Sequence, residues 1–232
     1  MTRTVLITGA NRGIGLALAE HYAADFWQVI ATSRNPKLSS SLQRLTDAYH
    51  GKFTTTQLDV SNHHSIALLS EQLEDRPIHL LINNAGIYQS KYFGFDTIDR
   101  DTWLAEIQVN TIAPFMITRA LLGNLRAARH SIVAMLSSEM GSIADNRSGG
   151  NYAYRSSKAA LNSVVKSLHL DLSDKGITVV ALHPGWVRTD MGGVDAPIDT
   201  DISSRGLKTI LDELKPEASG GFFDYRGKVL PW

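Results

Sequence analysis

A tyrosine and a lysine lie four residues apart in Tyr154-Arg-Ser-Ser-Lys158, within a segment of helical periodicity. Residues at this spacing project from one face of a helix, so the two side chains should meet. Tyrosine has a pKa of about 10, too high for a proton donor at neutral pH. An ammonium ~4–5 Å away supplies roughly the free energy of a three-unit shift. We therefore predict that Lys158 lowers the pKa of Tyr154 and that this pair exchanges a proton with a carbonyl or alcohol substrate.

Two further polar side chains are candidates to assist this exchange. Ser138 follows an apolar run, where a hydroxyl would hold a carbonyl oxygen and stabilise developing charge. Ser137 is a competing candidate, although the S-x-x-G pattern favours Ser138. Asn110 lies in a helical segment, for which asparagine is a poor former. It is predicted either to hold a water that relays protons from Lys158 or to occupy a solvent-facing position.

A glycine-rich segment, Thr8-Gly-Ala-Asn-Arg-Gly-Ile-Gly15, follows the first apolar run of the chain. Gly9 would allow a tight turn, Gly13 would let the backbone approach a pyrophosphate, and Gly15 would let helix and strand pack closely. Phosphates would then bind free N–H groups at a helix N-terminus. The alternative is a glycine-rich turn with a purely structural role. The residues predicted to bind a dinucleotide here are Gly9, Asn11, Arg12, Gly13, Ile14 and Gly15.

Charge beside the adenosine ribose distinguishes NADP(H) from NAD(H). Arg34 follows the second apolar run, where a carboxylate would instead accept a hydrogen bond from a ribose 2′-OH. Two guanidiniums, Arg34 and Arg12, converging on one ribose would suit a 2′-phosphate. The sequence therefore favours NADP(H), the alternative being two ordinary surface arginines. Asp59, followed by Val60, is predicted to contact the adenine or to act as a simple turn carboxylate.

The elements that must position these residues are short apolar runs alternating with helical segments. Strands are predicted at Val5–Thr8, Gln28–Ser33, Phe53–Leu58, Ile78–Ile82, Ser131–Leu136, Ile177–Leu182 and Gly221–Tyr225. Helices are predicted at Ile14–Ala24, Leu38–Tyr49, His63–Leu73, Asp101–Ala128 with a bend at Pro114, Tyr152–Ser173 and Ile202–Leu214.

This alternation predicts an α/β fold: one Rossmann-type, doubly wound parallel sheet of about seven strands with helices on both faces. Ligands of such sheets bind beyond the carboxyl ends of the strands, where the motifs above fall. Asn84, Ala85 and Gly86 close the fourth strand and should fix the backbone of the cofactor cleft. A single domain, 1–232, is expected. Its segment near 190–214 should form a substrate lid, with a mobile loop at Met191–Pro197.

Composition excludes several function classes. The chain has 23 Lys and Arg against 23 Asp and Glu, which gives no electrostatic footprint for nucleic acid or an anionic membrane. It has no cysteine, so thiolate catalysis and cysteine-ligated metals are excluded. The adjacent His63 and His64 point to different faces of a helix, and no metal site is predicted. Without a signal-peptide pattern or an apolar run long enough to span a membrane, a cytoplasmic location is expected.

The motifs TGxxRGIG, NNAG, a mid-helix asparagine, SSxxG, YxxxK and PGWVRT occur in the order typical of the short-chain dehydrogenase/reductase family, which this chain resembles from Val5 to about Met191. The resemblance implies a catalytic tetrad of Asn110, Ser138, Tyr154 and Lys158. It also implies cofactor contacts in the segment after the sixth strand, with Val187 acting through its backbone and Thr189 through its hydroxyl. The cofactor residues predicted in that segment are Pro184, Gly185, Val187 and Thr189.

The segment 138–150 and the ending Gly227-Lys-Val-Leu-Pro-Trp232 resemble the subgroup of C-factor and sniffer-type carbonyl reductases. That resemblance implies an NADPH-dependent oxidoreductase that reduces an aldehyde or ketone. The alternative is a cofactor-binding signalling or regulatory protein whose catalysis is secondary. The helices around Trp103–Leu125 and Tyr152–Ser173 carry apolar stripes beyond what one sheet face should cover. The family resemblance implies a homodimer through these helices, with a homotetramer left open.

Overall fold

A computed structural model describes residues 2–232 of the chain. These residues form a sheet of seven strands, all parallel, in the order β3-β2-β1-β4-β5-β6-β7. The strands are β1 Thr4–Ile7, β2 Gln28–Ser33, β3 Phe53–Gln57, β4 Leu80–Asn83, β5 Ser131–Leu136, β6 Ile177–His183 and β7 Phe222–Asp224. The predicted doubly wound parallel sheet is confirmed, and its order reverses between β1 and β4.

The helices are α1 Gly13–Ala24, α2 Ser40–Ala48, α3 His63–Leu73, α4 Arg100–Ile107, α5 Ala113–Ala120, α6 Leu122–Ala127, α7 Tyr152–Leu172 and α8 Thr200–Glu213. Side-chain oxygens of Ser39, Asn62, Asp99 and Asp199 accept hydrogen bonds from the first turns of α2, α3, α4 and α8. These caps satisfy backbone donors and set where the four helices begin. Among the helices of residues 2–232, none is long and apolar enough to cross a membrane.

Alternate residues of each strand enter two separate apolar cores, one on each face of the sheet. In β1, Leu6 packs in the core that includes Ile117 of α5 and Leu161 of α7. Its neighbours Val5 and Ile7 pack in the opposite core, with residues of α1, α2 and α8. Because both faces are covered, the strands are apolar throughout, as their sequences indicated.

The predicted helix Asp101–Ala128 is wrong as a single bent element. A π-helical turn at Gln108–Ile112 separates α4 from α5, and α5 ends where Leu121 leaves helical geometry (φ −96°, ψ 13°). Proline lacks the N–H that an α-helix would use at position 114, and it is tolerated in a first helical turn. Pro114 therefore lies at the start of α5, and helical geometry is interrupted seven residues later, at Leu121.

The segment after β6 is tied back onto itself. Val187 and Ile198 form an isolated parallel bridge, and Arg188 donates from its backbone to Ile198 O (2.8 Å) and from Nη1 to Ala196 O (2.9 Å). Helix α8 buries Leu207 completely against the core that contains α1. The second half of the predicted lid is therefore part of the core, and residues 191–199 remain as its loop.

Candidate active site

A cleft of about 630 Å³ lies at the carboxyl ends of the strands, where the sheet order reverses between β1 and β4. Most of the predicted cofactor residues line it: Gly9, Asn11, Arg12, Gly13, Ile14, Gly15, Arg34, Asp59, Val60, Asn84, Ala85, Gly86, Tyr154, Lys158, Pro184 and Thr189. Gly185 and Val187 lie outside this lining. Gly185 has φ +86° and packs under Ile198 and Tyr225, whereas Val187 is buried beside Gly192. The structure gives these two residues packing contacts.

The glycine turn is held by the loop that follows β4. Asn84 donates from Nδ2 to Thr8 O (2.8 Å) and Gly9 O (3.1 Å), while Thr8 Oγ1 accepts from the Asn84 and Ala85 amides. A Cβ on Gly15 would lie 2.4 Å from Asn84 Nδ2, closer than real Cβ atoms approach. Gly15 thus admits the Asn84 amide, and the predicted support of the cleft by this loop is confirmed.

The first turn of α1 borders the cleft. The preceding residue is Arg12, whose side chain makes no capping hydrogen bond within residues 2–232. The backbone N–H groups in the first turn of α1 are therefore free to donate hydrogen bonds to a ligand, and an anion is the ligand that such a helix N-terminus favours. The Arg12 guanidinium pairs with Asp190, and both side chains are largely exposed. Arg12 and Arg34 both line the cleft, and their convergence on one ribose stays a prediction.

The adenosine end of the cleft is polar. Arg34 lines it directly after β2, and among the described residues the buried hydroxyl of Ser33 has no hydrogen-bond partner. Asp59 Oδ1 accepts from the Ser61 amide (3.0 Å) and hydroxyl (2.6 Å), as a turn carboxylate does. Asp59 also borders the cleft, so both predicted roles for it remain open. Sequence reasoning missed Ser33, although its position beside Arg34 could have indicated it.

The four residues of the predicted tetrad are buried near one another. Lys158 Nζ donates to Leu136 O (2.7 Å) at the end of β5 and lies 5.8 Å from the centroid of the Tyr154 ring. A Cβ placed on Gly86 would be 3.2 Å from Asn110 Oδ1 and 3.7 Å from Lys158 Nζ. Asn110 and Lys158 therefore converge on the same glycine of the β4 loop.

Asn110 fixes backbone groups around the site. Its Oδ1 accepts from the Ile87 amide (2.9 Å), and its Nδ2 donates to Ile87 O (2.8 Å) and Ser157 Oγ (3.0 Å). The residue is completely buried in the π-helical turn. The alternative of a solvent-facing asparagine is therefore wrong. The sequence pattern did not indicate either of its partners.

The two candidate serines have different partners. Ser137 Oγ donates to Asn162 Oδ1 (2.6 Å) in the interior, and Asn162 Nδ2 donates to Gly141 O (3.2 Å). Ser138 Oγ accepts from the Met140 amide (3.2 Å) and lies near the Tyr154 hydroxyl, where its hydrogen bonding opposes the rise in the pKa of Tyr154. Ser138 is thus the serine that faces the tyrosine, and Ser137 has a structural partner.

A family model described as short chain dehydrogenase matches residues 3–197, most of the chain. The chain belongs to the short-chain dehydrogenase family. It is an oxidoreductase by that membership, and the resemblance drawn from its motifs is confirmed. The C-signal protein of Myxococcus xanthus is 45% identical over 156 residues, covering 67% of this chain and 93% of the relative.

Two solved structures share the whole fold of this short-chain dehydrogenase. The carbonyl reductase Sniffer of D. melanogaster is 33% identical, with a TM-score of 0.92 and complete coverage of both chains. The NADPH-bound carbonyl reductase from chicken fatty liver is 35% identical, with a TM-score of 0.91, and the match covers 100% of this chain and 99% of that one.

Burial controls the titration of the tyrosine and lysine in this short-chain dehydrogenase. Desolvation raises the pKa of Tyr154 above its ordinary value, and the nearby Ser138 hydroxyl partly opposes this rise. Desolvation lowers the pKa of Lys158 to about 8, and Glu106 acts to raise it. The expected lowering of the Tyr154 pKa is therefore wrong for the protein's own groups, because burial is the largest influence on it and acts in the opposite direction.

Tyr88 stacks on Tyr154, with ring centroids 4.1 Å apart and planes at 24°. Its hydroxyl donates to Asn151 Oδ1 at the start of α7. Trp186 and Met191 are two further large apolar side chains, both in the segment after β6. Of these, Met191 lines the cleft, and Trp186 donates from Nε1 to Gly192 O (2.8 Å) in the loop after β6.

Proposed function

We propose that this chain is an NADPH-dependent carbonyl reductase that converts an aldehyde or ketone into an alcohol. The observation that carries the proposal is the buried Tyr154, which lines a dinucleotide-sized cleft together with Lys158 and lies near the Ser138 hydroxyl. The carbonyl reductases that share the fold support it. A cytoplasmic location, where the NADP(H) pool is predominantly reduced, goes with this proposal and with the reductive direction.

The residues that line the cleft fit NADP(H). Gly9 and Gly13 hold positive φ angles of +66° and +58°, and any side chain at Gly15 would fill the space occupied by Asn84. The uncapped first turn of α1 would hold the pyrophosphate. Arg34 and the unpartnered Ser33 hydroxyl would hold the ribose 2′-phosphate through charge-assisted hydrogen bonds.

The reduced nicotinamide supplies the hydride when the cofactor is bound. Ser138 would donate a hydrogen bond to the substrate carbonyl oxygen and stabilise the negative charge that develops there. Tyr154 would transfer its phenolic proton to that oxygen as general acid. Burial raises the pKa of Tyr154, so the phenol is protonated at neutral pH and is a weaker acid than free tyrosine. Its proton would therefore move only as the much more basic alkoxide oxygen forms on the substrate. Lys158 would supply positive charge beside the phenol, and Asn110 would hold the surrounding backbone and a water that relays protons from Lys158.

The test is NADPH consumption by the purified chain over a panel of aldehydes, ketones and quinones. We expect turnover by the wild type and a loss of about 10²- to 10⁴-fold in kcat for Tyr154→Phe, with NADPH binding retained. Fluorescence titration with NADPH provides the control for binding. Wild-type protein that binds NADPH and turns over no member of the panel would contradict the proposal.

A second candidate is a cofactor-binding signalling protein with secondary catalysis. The observation that favours it is the 45% identity to the C-signal protein of Myxococcus xanthus. NADPH binding without turnover, together with a cellular phenotype that Tyr154→Phe leaves unchanged, would support this candidate over the reductase.

We propose a homodimer as the solution state, with a homotetramer as the alternative. Exposed apolar side chains lie along α4, the π-helical turn and α5, namely Trp103, Leu104, Ile112 and Phe115. Clustered apolar exposure of this kind marks interaction surfaces. Light scattering on the wild type and on Ile112→Glu should report a dimer and a monomer, respectively.

A further inference from the structure

Glu106 is a completely buried acidic residue near the end of α4. Its Oε1 accepts from the Ser90 amide (2.7 Å) and its Oε2 accepts from the Ser90 hydroxyl (3.1 Å). Both oxygens thus accept hydrogen bonds, as in an ionised carboxylate. None of the ion pairs within residues 2–232 includes Glu106. A buried carboxylate is costly without a compensating partner, so its position calls for an explanation.

Glu106 is buried on α4, and α4 packs against α7. Glu106 precedes Asn110 by four residues, and side chains at this spacing share a helix face. Asn110 in turn meets Lys158 at Gly86 and donates to Ser157. One turn earlier, α4 contacts α7 through Trp103, whose Nε1 donates to Ser156 Oγ (2.8 Å).

We propose that Glu106 is a positioning residue whose buried negative charge, fixed by Ser90, keeps Lys158 in its charged form beside Tyr154. This inference rests on the proposed reductase function and assigns Glu106 no contact with the substrate or the cofactor. Ser90 holds the carboxylate in place, because it supplies hydrogen bonds without supplying a charge.

The charges around Lys158 agree with this role. Burial lowers the pKa of Lys158 to about 8, and Glu106 raises it. Glu106 also raises the pKa of Tyr154, as does Tyr88 from the other side of the ring.

Other ionisable groups on the packed elements are directed elsewhere. Glu139, in the turn after β5, lies 3.7 Å from His183 Nε2. Arg155 of α7 donates to Met140 O and Ser148 Oγ. Glu106 is thus the negative charge that opposes the loss of the Lys158 proton.

The decisive experiment compares Glu106→Gln with Ser90→Ala in the full-length enzyme. Glutamine keeps the shape of the side chain and removes its charge, whereas Ser90→Ala keeps the charge and removes one hydrogen bond. For Glu106→Gln we expect the alkaline limb of kcat/KM against pH to move to lower pH. At pH 8 a fall of about one unit in the Lys158 pKa would reduce activity roughly fivefold. For Ser90→Ala we expect the alkaline limb at the same pH as in the wild type. Thermal unfolding of both variants checks that they are folded.

A second measurement does not depend on turnover. In protein labelled with ¹³C at lysine Cε, the Lys158 resonance is assigned by its absence in Lys158→Arg and then titrated by NMR. We expect a lower Lys158 pKa in Glu106→Gln than in the wild type or Ser90→Ala. An unchanged Lys158 titration, or equal effects of both variants on the pH profile, would overturn the role of Glu106. A wild type that binds NADPH without turnover would overturn only the reductase proposal, because the NMR comparison would still stand.

Discussion

The rings of Tyr88 and Tyr154 form a stacked pair whose centroids are 4.1 Å apart. The segment that carries Tyr88 is fixed on both sides, because Ile87 pairs with Asn110 and Ser90 pairs with Glu106. The π-helical turn and α4 thereby determine which way the Tyr154 ring can face. Tyr154 is thus packed against a neighbour that is itself held by separate elements of the fold.

Tyr88→Ala should reduce kcat about tenfold, because the Tyr154 ring loses the contact that orients it; aromatic pairs of this kind contribute about 0.5–1.5 kcal/mol. Tyr88→Phe keeps the stack and loses only the hydrogen bond to Asn151, so its kcat should stay near the wild-type value. Steady-state kinetics with one aldehyde and saturating NADPH measure both variants. Equal losses in the two would show that the hydrogen bond to Asn151, rather than the stack, orients Tyr154.

Replacing each serine after β5 should separate chemistry from stability. Ser138→Ala should lower kcat by about 10²- to 10³-fold with a nearly unchanged melting temperature, because its hydroxyl lies near the Tyr154 hydroxyl and is proposed to bind the substrate oxygen. Ser137→Ala leaves the buried Asn162 Oδ1 without a donor and should cost about 1–3 kcal/mol of unfolding free energy. Paired activity and urea-denaturation measurements test the assignment, and the reverse pattern would exchange the roles of the two residues.

Arg34→Asp should reverse the preference of the cofactor site. A carboxylate at this position repels a 2′-phosphate and accepts from a 2′-OH, so NADPH affinity relative to NADH should fall by roughly 10- to 100-fold. Arg12→Ala is the matched control, since Arg12 is engaged with Asp190, and its effect on the ratio should be smaller. Fluorescence titrations with both cofactors give the ratio. If it is unchanged in Arg34→Asp, the phosphate site lies elsewhere.

Gly15→Ala should be destabilising by about 1–3 kcal/mol and should weaken NADPH binding, because the new methyl group would displace the Asn84 amide. Gly123→Ala provides a control within α6, where no described atom lies within 4 Å of the added Cβ. Removing a glycine from an exposed helix should raise stability by about 0.5–1 kcal/mol. Thermal unfolding of both variants measures the contrast, and a stable, NADPH-binding Gly15→Ala would contradict the close approach of Asn84.

The sequence predicted those features that depend on local spacing. The parallel sheet follows from alternating strands and helices, and most element boundaries agree within about two residues. The glycine turn and the Tyr154–Lys158 helix face likewise follow from residues close together in the chain. The contacts of Tyr88 with Tyr154, Glu106 with Ser90 and Ser137 with Asn162 link separate elements, and periodicity carries no information about them.

The predicted lowering of the Tyr154 pKa was wrong for a related reason. The spacing of Tyr154 and Lys158 allowed an estimate of the attraction between an ammonium and a phenolate. It gave no information about the loss of solvent around both side chains. It also left out that Lys158 Nζ, 5.8 Å from the centroid of the Tyr154 ring, donates to Leu136 O. Desolvation depends on the packing of α4, α7 and the β4 loop, which becomes known only from the structure.

Lys158 should give folding stability a distinctive pH dependence. Its pKa is about 8 in the folded chain and 10.5 in the reference state, so the unfolded chain binds more protons between these values. Stability therefore rises with pH across this window, by an amount on the order of 3 kcal/mol. Above pH 10 the raised pKa of Tyr154 makes stability fall as the pH rises, because the tyrosine loses its proton at lower pH in the unfolded chain than in the folded one.

Lys158→Met removes the titrating group and should be more stable than the wild type at pH 7, where the folded enzyme buries an ammonium. The advantage should shrink as the pH rises from about 8 towards 10, since the wild-type lysine is then neutral in the folded state. Lys166→Met, an exposed position on the same helix, should show no such trend. Urea denaturation at a series of pH values measures all three proteins. The stability difference between Lys158→Met and the wild type could instead stay constant with pH. That result would mean that Lys158 is not desolvated and that this active site bears no cost for burying its charge.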